Sequence, residues 1–345
     1  MTFKKKRVNI ITTKSWKTKT QKTVINIFLT KMDKSCCEKH IPVLLNELTT
    51  SLKIYNNKQN IIVDCTLWMW WHAREIISKL NPWDIFIWFD ADIKNLEVAS
   101  LKLKNEFRNS KIDMFFINDN FVNLNSNLSK LNLWKITWIY YDFWLSSLHI
   151  DEAERWFSYR LDWPLDMRFD KTNKIKASDI INSYKIQDLI KIFTNYWEEP
   201  NSKKIAEKIV EKRKLWKKFL KTKDLVEVID EVSLNIKTKT KIFQAIRIET
   251  NNELENIKKS LNQAIDLLDK WWNIFVISFH SLEDRIVKNI FRDESKDCIC
   301  KDLICSCKHK AKLKILTKKP IIPDKSEIKE NKRARSAKAR LAVKI

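Results

Sequence analysis

The sequence predicts an α/β protein, in which helices cover a parallel β-sheet and an all-helical domain is inserted into the chain of that sheet. Three observations support this prediction. The chain has 345 residues and 44% hydrophobic content, enough for one large core or two smaller ones. From residue 40 onward, short β-rich apolar runs alternate with helical stretches. Long, charged, periodic segments then separate the last predicted strand from the others.

Five apolar runs are predicted to be strands, at residues 61–65, 85–89, 113–117, 136–141 and 274–279. Between the fourth and the fifth, charged stretches such as 202–218 have helical periodicity. We therefore expect a sheet domain formed by residues 36–148 and 239–345, interrupted by a helical substrate-recognition domain at 149–238.

The first segment of the chain is basic, since residues 1–31 contain nine Lys or Arg and no acidic residue. We treat residues 1–35 as an N-terminal extension, which resembles a basic arm or a transit peptide. A third interpretation is that translation starts at Met32 and that residues 1–31 are not made. Without them the net charge falls from +23 to +14, so the chain is strongly basic in either case.

This charge suits a polyanionic partner, which could be RNA, DNA or anionic lipid. No apolar run approaches the roughly 20 residues that span a membrane, and no signal peptide is visible. Without a secretory signal, the seven Cys residues favour reduced thiols or metal ligands over disulfides. We therefore expect a soluble, cytoplasmic protein with no membrane partner.

Tryptophan stands where glycine is expected. A chain of this length ordinarily contains about two dozen glycines, but this one has none and has 15 tryptophans. Several lie at expected turns between apolar runs, at 70–71, 83 and 271–272, where positive φ favours Gly and penalises a bulky side chain. Our hypothesis is that a reassigned stop codon, translated here as Trp, is read as Gly in the cell. A genuinely Trp-rich core is the alternative.

Residues 63–72 end the first strand and open a helix. Read with glycine at its tryptophans, this segment is a Gly-rich turn whose backbone N–H groups can accommodate a nucleoside cofactor. Asp90 follows the next strand, 20 residues after Trp70, where an acid is expected to bind ribose hydroxyls. With indoles in the turn, we expect the cofactor to be excluded.

Three polar residues, Asp142, Ser146 and Ser147, follow the fourth strand, at the edge where open α/β sheets bind ligands. An amine conjugated to a pyrimidine is a poor nucleophile, so a site acting on it must orient its lone pair and accept its hydrogen bond. We take these three residues as catalytic candidates. The alternative for Asp142 is a helix or turn cap.

Long motifs from His40 to the C-terminus resemble the 16S ribosomal RNA cytosine-N4 methyltransferase family. They are HIPVLLNEL (40–48), DCTLWMWWH (64–72), DFWLSS (142–147), DEAERWFSYRLDWPLDMRFD (151–170), FQAIRIETNNEL (243–254), ISFHSLEDRIVK (277–288), LTKKPIIP (316–323) and NKRARSAKARLAVK (331–344). The resemblance implies a Rossmann-like, S-adenosylmethionine-dependent methyltransferase sheet. It also implies methylation of N4 of a decoding-centre cytidine, in the 16S rRNA of the small ribosomal subunit.

The same resemblance implies roles for single residues. Trp70, Trp71 and His72 would line the cofactor loop, Asp90 would hold the ribose, Phe121 would pack near the adenine, and Asp142 would lie beside the methyl group. His149 is a further cofactor-contact candidate, although Leu148-His149 replaces the family's usual Pro-Gln. The family has glycine at eleven of the tryptophan positions: 68, 70, 71, 88, 138, 144, 156, 163, 197, 271 and 272.

Resemblance also suggests that residues 151–170 face the substrate, with interdomain packing as the alternative, and that Ser278 and His280 shape the target-base pocket. We exclude a hydrolase site at these two residues because no nucleophile elbow surrounds them. A basic C-terminal group is expected to bind RNA phosphate rather than to form a solvated helix face: Lys332, Arg333, Arg335, Lys338 and Arg340.

Four cysteines, with His309 nearby, are candidates for a zinc site: Cys298, Cys300, Cys305 and Cys307. Zinc sites usually separate paired Cys by two or more residues, so we favour reduced surface thiols and assign no metal. Two other functions stay open, namely an RNA-binding ribosome assembly factor without catalysis and a DNA amino-methyltransferase. A homodimer is one of the oligomeric states that the sequence allows.

Overall fold

The computed structural model describes residues 10–11, 42–66, 70–143, 162–197, 199–215, 218–300 and 306–345. The chain divides into two compact units. The first, which we call the sheet unit, comprises Met1–Trp144 and Asn256–Ile345, and the second, the helical unit, comprises Leu145–Glu255. The expected domain boundary at residue 238 falls inside a helix of the helical unit, so this unit extends beyond the expected insertion.

Within the described residues, the sheet has eight strands: β1 (Ile10–Ile11), β2 (Ile61–Asp64), β3 (Ile85–Phe89), β4 (Asp113–Ile117), β5 (Ile136–Asp142), β6 (Leu268–Ser278), β7 (Leu313–Ile315) and β8 (Lys338–Lys344). Their order is β1-β4-β3-β2-β5-β6-β8-β7. Strands β1 to β6 pair in parallel, whereas β8 is antiparallel to both β6 and β7. The predicted α/β, Rossmann-like fold is confirmed.

Twelve α-helices lie in the described residues: α1 (Leu45–Ser51), α2 (Trp71–Ile77), α3 (Ile93–Glu106), α4 (Leu124–Lys130), α5 (Ala177–Ser183), α6 (Ile186–Trp197), α7 (Ser202–Lys214), α8 (Thr222–Asp230), α9 (Ile236–Asn251), α10 (Glu253–Leu267), α11 (Ser281–Asp293) and α12 (Lys325–Glu330). Short 3-10 helices cover Phe121–Asn123 and Lys332–Ser336. Among these described helices, we find none with the length and apolar character needed to cross a membrane.

Each unit has its own core. Every residue of β3 and β5 is buried, as expected for central parallel strands covered on both faces. Helices α5 to α9 instead bury an aliphatic and aromatic core that includes Ile180, Phe193 and Ile246. Helix α9 packs against α5 and α6, which explains why the chain stays in the helical unit past residue 238.

Predicted and observed strands agree closely at β3 and β4, where the bounds are identical. Strand β6 begins at Leu268, earlier than the predicted 274. Its first residue, Leu268, pairs with Ile136 of β5, and the register between the two strands then shifts before Asn273 pairs with Trp138. The pair β7 and β8 was not predicted. The sequence of β8 is rich in Lys and Arg, and its basic residues were expected to bind RNA phosphate rather than to form a strand.

Candidate functional site

The candidate site lies in the sheet unit, at the carboxyl ends of the strands around β2. Strand β2 pairs with β3 on one side and with β5 on the other, so the strand order reverses there. Open α/β sheets bind ligands at such a switch point. Asp64 ends β2, Asp142 ends β5, and α2 begins at Trp71. The sequence therefore places two acids and a helix N-terminus at this edge of the sheet.

Asp64 is held by a buried hydrogen-bond network. The Tyr140 hydroxyl donates to Oδ2 of Asp64, and the backbone N–H of Thr66 donates to its Oδ1 at 2.9 Å. Asp64 and Tyr140 are both buried. Burial raises the pKa of the Asp64 carboxyl well above its usual range, although the hydrogen bonds act in the opposite direction. Sequence reasoning missed both residues as site members, because their contact depends on the register between β2 and β5.

Asp142 is fixed from two sides. Its backbone N–H donates to Oγ1 of Thr66 at 2.6 Å, and its Oδ2 lies 3.5 Å from Nδ1 of His72. The side chains of His72 and Asp142 are only 6% and 2% exposed. The carboxyl group therefore has little freedom to reorient.

His72 is neutral in this setting. Its Nε2 lies 3.0 Å from the carbonyl oxygen of Val43, which can only accept, so Nε2 carries the ring hydrogen. Burial lowers the pKa of His72 to about 4, with the Val43 hydrogen bond opposing this. In the neutral ring Nδ1 is an acceptor, and it faces the Asp142 carboxyl. A proton that either group receives can therefore be shared between them.

Two indoles fill the turn before α2. Trp70 is buried, its ring stacks on Trp71 at a centroid distance of 6.2 Å, and Nζ of Lys102 lies 4.3 Å from the Trp70 ring. The indole N–H of Trp71 is buried without a hydrogen-bond partner among the described residues. The φ angle of Trp70 is −52°, so positive φ is not required at this residue.

Positive φ does occur at two other predicted turns. Trp83 has a φ of 77° and Trp271 a φ of 71°. The left-handed region is costly for a residue with a bulky side chain and costs glycine nothing. Trp83 lies in a turn, whereas Trp271 lies within β6, at the irregularity in its register with β5. The positive φ at these two positions supports the interpretation that tryptophan stands for glycine.

Asp90 and Phe121 follow strands β3 and β4 at the same edge of the sheet. Oδ1 of Asp90 accepts the backbone N–H of Asp92 at 2.7 Å, and burial, with the nearby Asp92, raises the pKa of Asp90 well above its usual range. The Phe121 ring lies 5.9 Å from Tyr141 and 6.1 Å from Phe143. The roles of Asp90 and Phe121 in cofactor binding stay predictions.

Several predicted site residues lie outside the described residues: Ser146, Ser147, His149 and residues 151–161. Within the remainder of the acidic-aromatic stretch, Nε of Arg168 donates to Asp166 at 2.6 Å. Arg168 therefore pairs with an acid of its own segment.

A small cavity lies beside the end of β6. It is lined by Phe279, His280, Ser281, Ile322, Pro323, Ile328, Arg335, Ser336, Ala337 and Lys338. His280 is the N-cap of α11 and Ser278 donates to the Lys338 carbonyl at 3.1 Å. Because Asp142 is the register partner of Ile277, this cavity lies at the same edge of the sheet as Asp142.

The expectation for Arg340 was wrong. Arg340 lies in β8 and is buried, and its Nε and Nη2 donate to the Asp284 carboxylate at 2.6 and 3.1 Å. It neutralises a buried acid on α11 and is not available to RNA phosphate. Arg335 and Lys338 line the cavity instead, so phosphate binding stays a prediction for them and for Lys332 and Arg333.

The chain is similar in sequence to known proteins over most of its length. Residues 37–345 match the MraW methylase family. A curated relative, Ribosomal RNA small subunit methyltransferase H of Finegoldia magna, is 44% identical over 316 residues, which cover 89% of this chain and 99% of that protein. Proteins of the same name are 41% identical in Clostridioides difficile and 44% in Caldicellulosiruptor saccharolyticus, with the same coverage.

Proposed function

This chain belongs to the MraW methylase family, and from that premise we propose that it methylates N4 of a decoding-centre cytidine in 16S ribosomal RNA, using S-adenosylmethionine. Its relatives are named as methyltransferases of small-subunit ribosomal RNA, which supports RNA of the small subunit as the substrate. The choice of base and atom rests on the chemistry of the site.

One observation carries this choice: a buried carboxyl group, Asp142, lies at the carboxyl end of β5, beside the point where the strand order reverses. An exocyclic amine of cytosine carries two hydrogens and a delocalised lone pair. A fixed carboxylate can accept one N–H and so turn the lone pair toward an incoming methyl group. A ring carbon of the base would offer no such hydrogen.

The residues of this chain then have defined tasks. S-adenosylmethionine would supply the methyl group, whose bond to sulfur breaks as the bond to N4 forms, so that S-adenosylhomocysteine leaves. As the new N–C bond forms, positive charge develops on N4, and the Asp142 carboxylate stabilises it. The surplus N4 proton passes to Asp142, and Nδ1 of His72, at 3.5 Å from that carboxyl, can share it.

The residues present fit S-adenosylmethionine only in part. Asp90 follows β3, where an acid can accept hydrogen bonds from ribose hydroxyls. Trp70 and Trp71 do not fit, because indoles stand where the backbone must approach the cofactor. Glycine at positions 70 and 71 would open this turn, so we propose the activity for the chain that carries glycine there.

RNA binding is proposed from charge. The net charge of +23 favours a polyanion, and Arg335 and Lys338 line the cavity at the edge where Asp142 lies. A base in a stacked helix cannot reach Asp142, so the cytidine is extruded before it reacts.

The test uses a glycine variant, in which all eleven tryptophans at the family's glycine positions are replaced by Gly. It is incubated with labelled S-adenosylmethionine and isolated small subunits, naked 16S rRNA or duplex DNA, and the RNA is digested to nucleosides. We expect N4-methylcytidine in the ribosomal RNA. In the same background, Asp142→Asn should lower kcat about 10²- to 10⁴-fold, since a positioned acceptor typically contributes this much.

The other outcomes identify the alternatives. Transfer to DNA in preference to ribosomal RNA would indicate a DNA amino-methyltransferase. No transfer to any substrate, with the variant folded and bound to small subunits, would indicate an assembly factor without catalysis.

A further inference from the structure

Three cysteine side chains converge outside the candidate site. The Sγ atoms of Cys298, Cys300 and Cys307 all lie within 4.8 Å of one another. All three are thiols, Cys298 and Cys300 being half-buried and Cys307 exposed. Cys305, the fourth cysteine of this stretch, lies outside the described residues.

The fold brings these residues together by closing the connection between α11 and β7. Both the Lys312 and the Leu313 backbone N–H groups donate to the carbonyl oxygen of Glu294, at 2.8 and 3.0 Å. Nearer the cysteines, the Ala311 N–H donates to Oδ1 of Asp297 at 3.2 Å. The two ends of the connection are therefore fastened together, which places Cys307 against Cys298.

We propose that Cys298, Cys300 and Cys307 bind one Zn²⁺ ion through their thiolates, with its remaining coordination position open to another ligand. Tetrahedral zinc with Zn–S bonds of about 2.3 Å requires its sulfur ligands to be about 3.8 Å apart. The Sγ atoms of Cys307 and Cys298 lie 3.9 Å apart. The spacing of one residue within Cys298-x-Cys300 is no obstacle, because the Sγ atoms of these two cysteines also lie within 4.8 Å of each other.

Thiolate chemistry explains why zinc is the expected ion. Soft sulfur ligands select zinc over the hard cations Mg²⁺ and Ca²⁺. Three thiolates around Zn²⁺ carry a net charge of −1. Lys308 and Lys310, one and three residues after Cys307, supply positive charge close to it in the sequence. The ion would fasten the exposed connection onto the end of α11, a structural task separate from methyl transfer.

The experiment measures metal directly. The full-length glycine variant is purified under reducing conditions, supplied with Zn²⁺, desalted, and analysed for zinc by mass spectrometry. We expect about one zinc per chain. Replacement of zinc by Co²⁺ should produce the charge-transfer absorption of cobalt–thiolate bonds.

Matched double variants test the assignment. Cys298→Ser with Cys300→Ser should reduce the zinc content at least about tenfold, whereas Cys36→Ser with Cys37→Ser should leave it unchanged. Circular dichroism verifies that both variants are folded. Less than about one tenth of a zinc per chain in the parent, or full zinc content in the Cys298/Cys300 variant, would overturn the proposal. A Cys298–Cys307 disulfide in reduced protein, found by peptide mapping, would also overturn it.

Discussion

The sheet unit and the helical unit differ in how far they depend on glycine. Of the eleven tryptophan positions at which the family has glycine, the sheet unit contains eight: 68, 70, 71, 88, 138, 144, 271 and 272. The helical unit contains three: 156, 163 and 197. Turns between strands need positive φ and close backbone approach, whereas helix interiors disfavour glycine. Replacing these glycines with tryptophan therefore changes mainly the sheet unit, which contains the candidate site.

The consequences are visible in the packing. In the sheet unit, Trp138 is fully buried, but its indole N–H has no partner among the described residues. Trp83 and Trp271 are about two-thirds exposed, at 66% and 65%, and both have a left-handed backbone conformation. The core of the helical unit, so far as it is described, is built from Leu, Ile, Val, Ala, Phe and Met without tryptophan. Trp163 of the helical unit also has a buried indole N–H without a partner among the described residues, but it lies outside this core.

The largest expected effect is on cofactor binding. The glycine variant should bind S-adenosylmethionine in about the micromolar to millimolar range typical of enzyme substrates. The same chain with tryptophan kept at Trp70 and Trp71 should show no binding by calorimetry, since the indoles occupy the turn. A matched variant that keeps tryptophan at Trp163, in the helical unit, should bind normally. Equal binding of S-adenosylmethionine by all three variants would mean that tryptophan in the sheet unit does not impair the site more than tryptophan in the helical unit.

Buried ion pairs offer a second comparison. In the glycine variant, Arg340→Ala removes both short hydrogen bonds to the buried Asp284 carboxylate and leaves it only Lys338, with its Nζ 4.0 Å away. The free energy of unfolding should fall by up to about 3–5 kcal/mol in urea titrations. The exposed pair of Arg292 with Asp293 is the control, and Arg292→Ala should cause a much smaller loss, because solvent screens an exposed ion pair. Similar losses for both would mean that β8 is not anchored through Arg340.

The pH dependence of stability should include a component from the sheet unit, because His72 is buried there. His72 has a folded-state pKa of about 4, below its ordinary 6.5. The unfolded chain therefore binds more protons in this window, and stability falls as the pH is lowered from 6.5 to about 4, by roughly 3 kcal/mol. His72→Gln should remove this component. If the free energy of unfolding depends on pH in the same way in the parent and in the variant, His72 is not a buried neutral imidazole in the folded protein.

The smallest effect concerns a single turn. Trp83→Gly should stabilise the glycine variant by about 1 kcal/mol, because φ at this position is 77°. Trp134 is equally exposed, at 64%, but is not among the residues with positive φ. Trp134→Gly should therefore give no gain in the same thermal unfolding measurement, and a gain at both positions would argue for a general effect of removing exposed indoles.

Sequence patterns predicted those parts of the fold that depend on short stretches of chain. Strands β3 and β4 are continuous apolar runs because both faces are buried, and such runs can be found without knowledge of their neighbours. Asp142 was found for the same reason, since it follows a run of this kind.

Patterns failed where a residue depends on a distant partner. The structural role of Arg340 in β8 can be recognised only from its contact with Asp284, which lies 56 residues earlier. Tyr140 reaches Asp64 through the pairing of strands that are 76 residues apart. The convergence of Cys307 on Cys298 likewise requires the closed connection, which sequence spacing does not reveal.

The position of β8 has a consequence for how this protein is made. Strand β8 is formed by Lys338–Lys344, yet it lies inside the sheet, between β6 and β7. The sheet cannot be completed until these residues have left the ribosome. If the tryptophan positions are reassigned stop codons, a ribosome that terminates at any of them, the last being Trp272, releases a chain that lacks β8 and all or part of β6. Correct decoding along the whole message would then be a condition for folding.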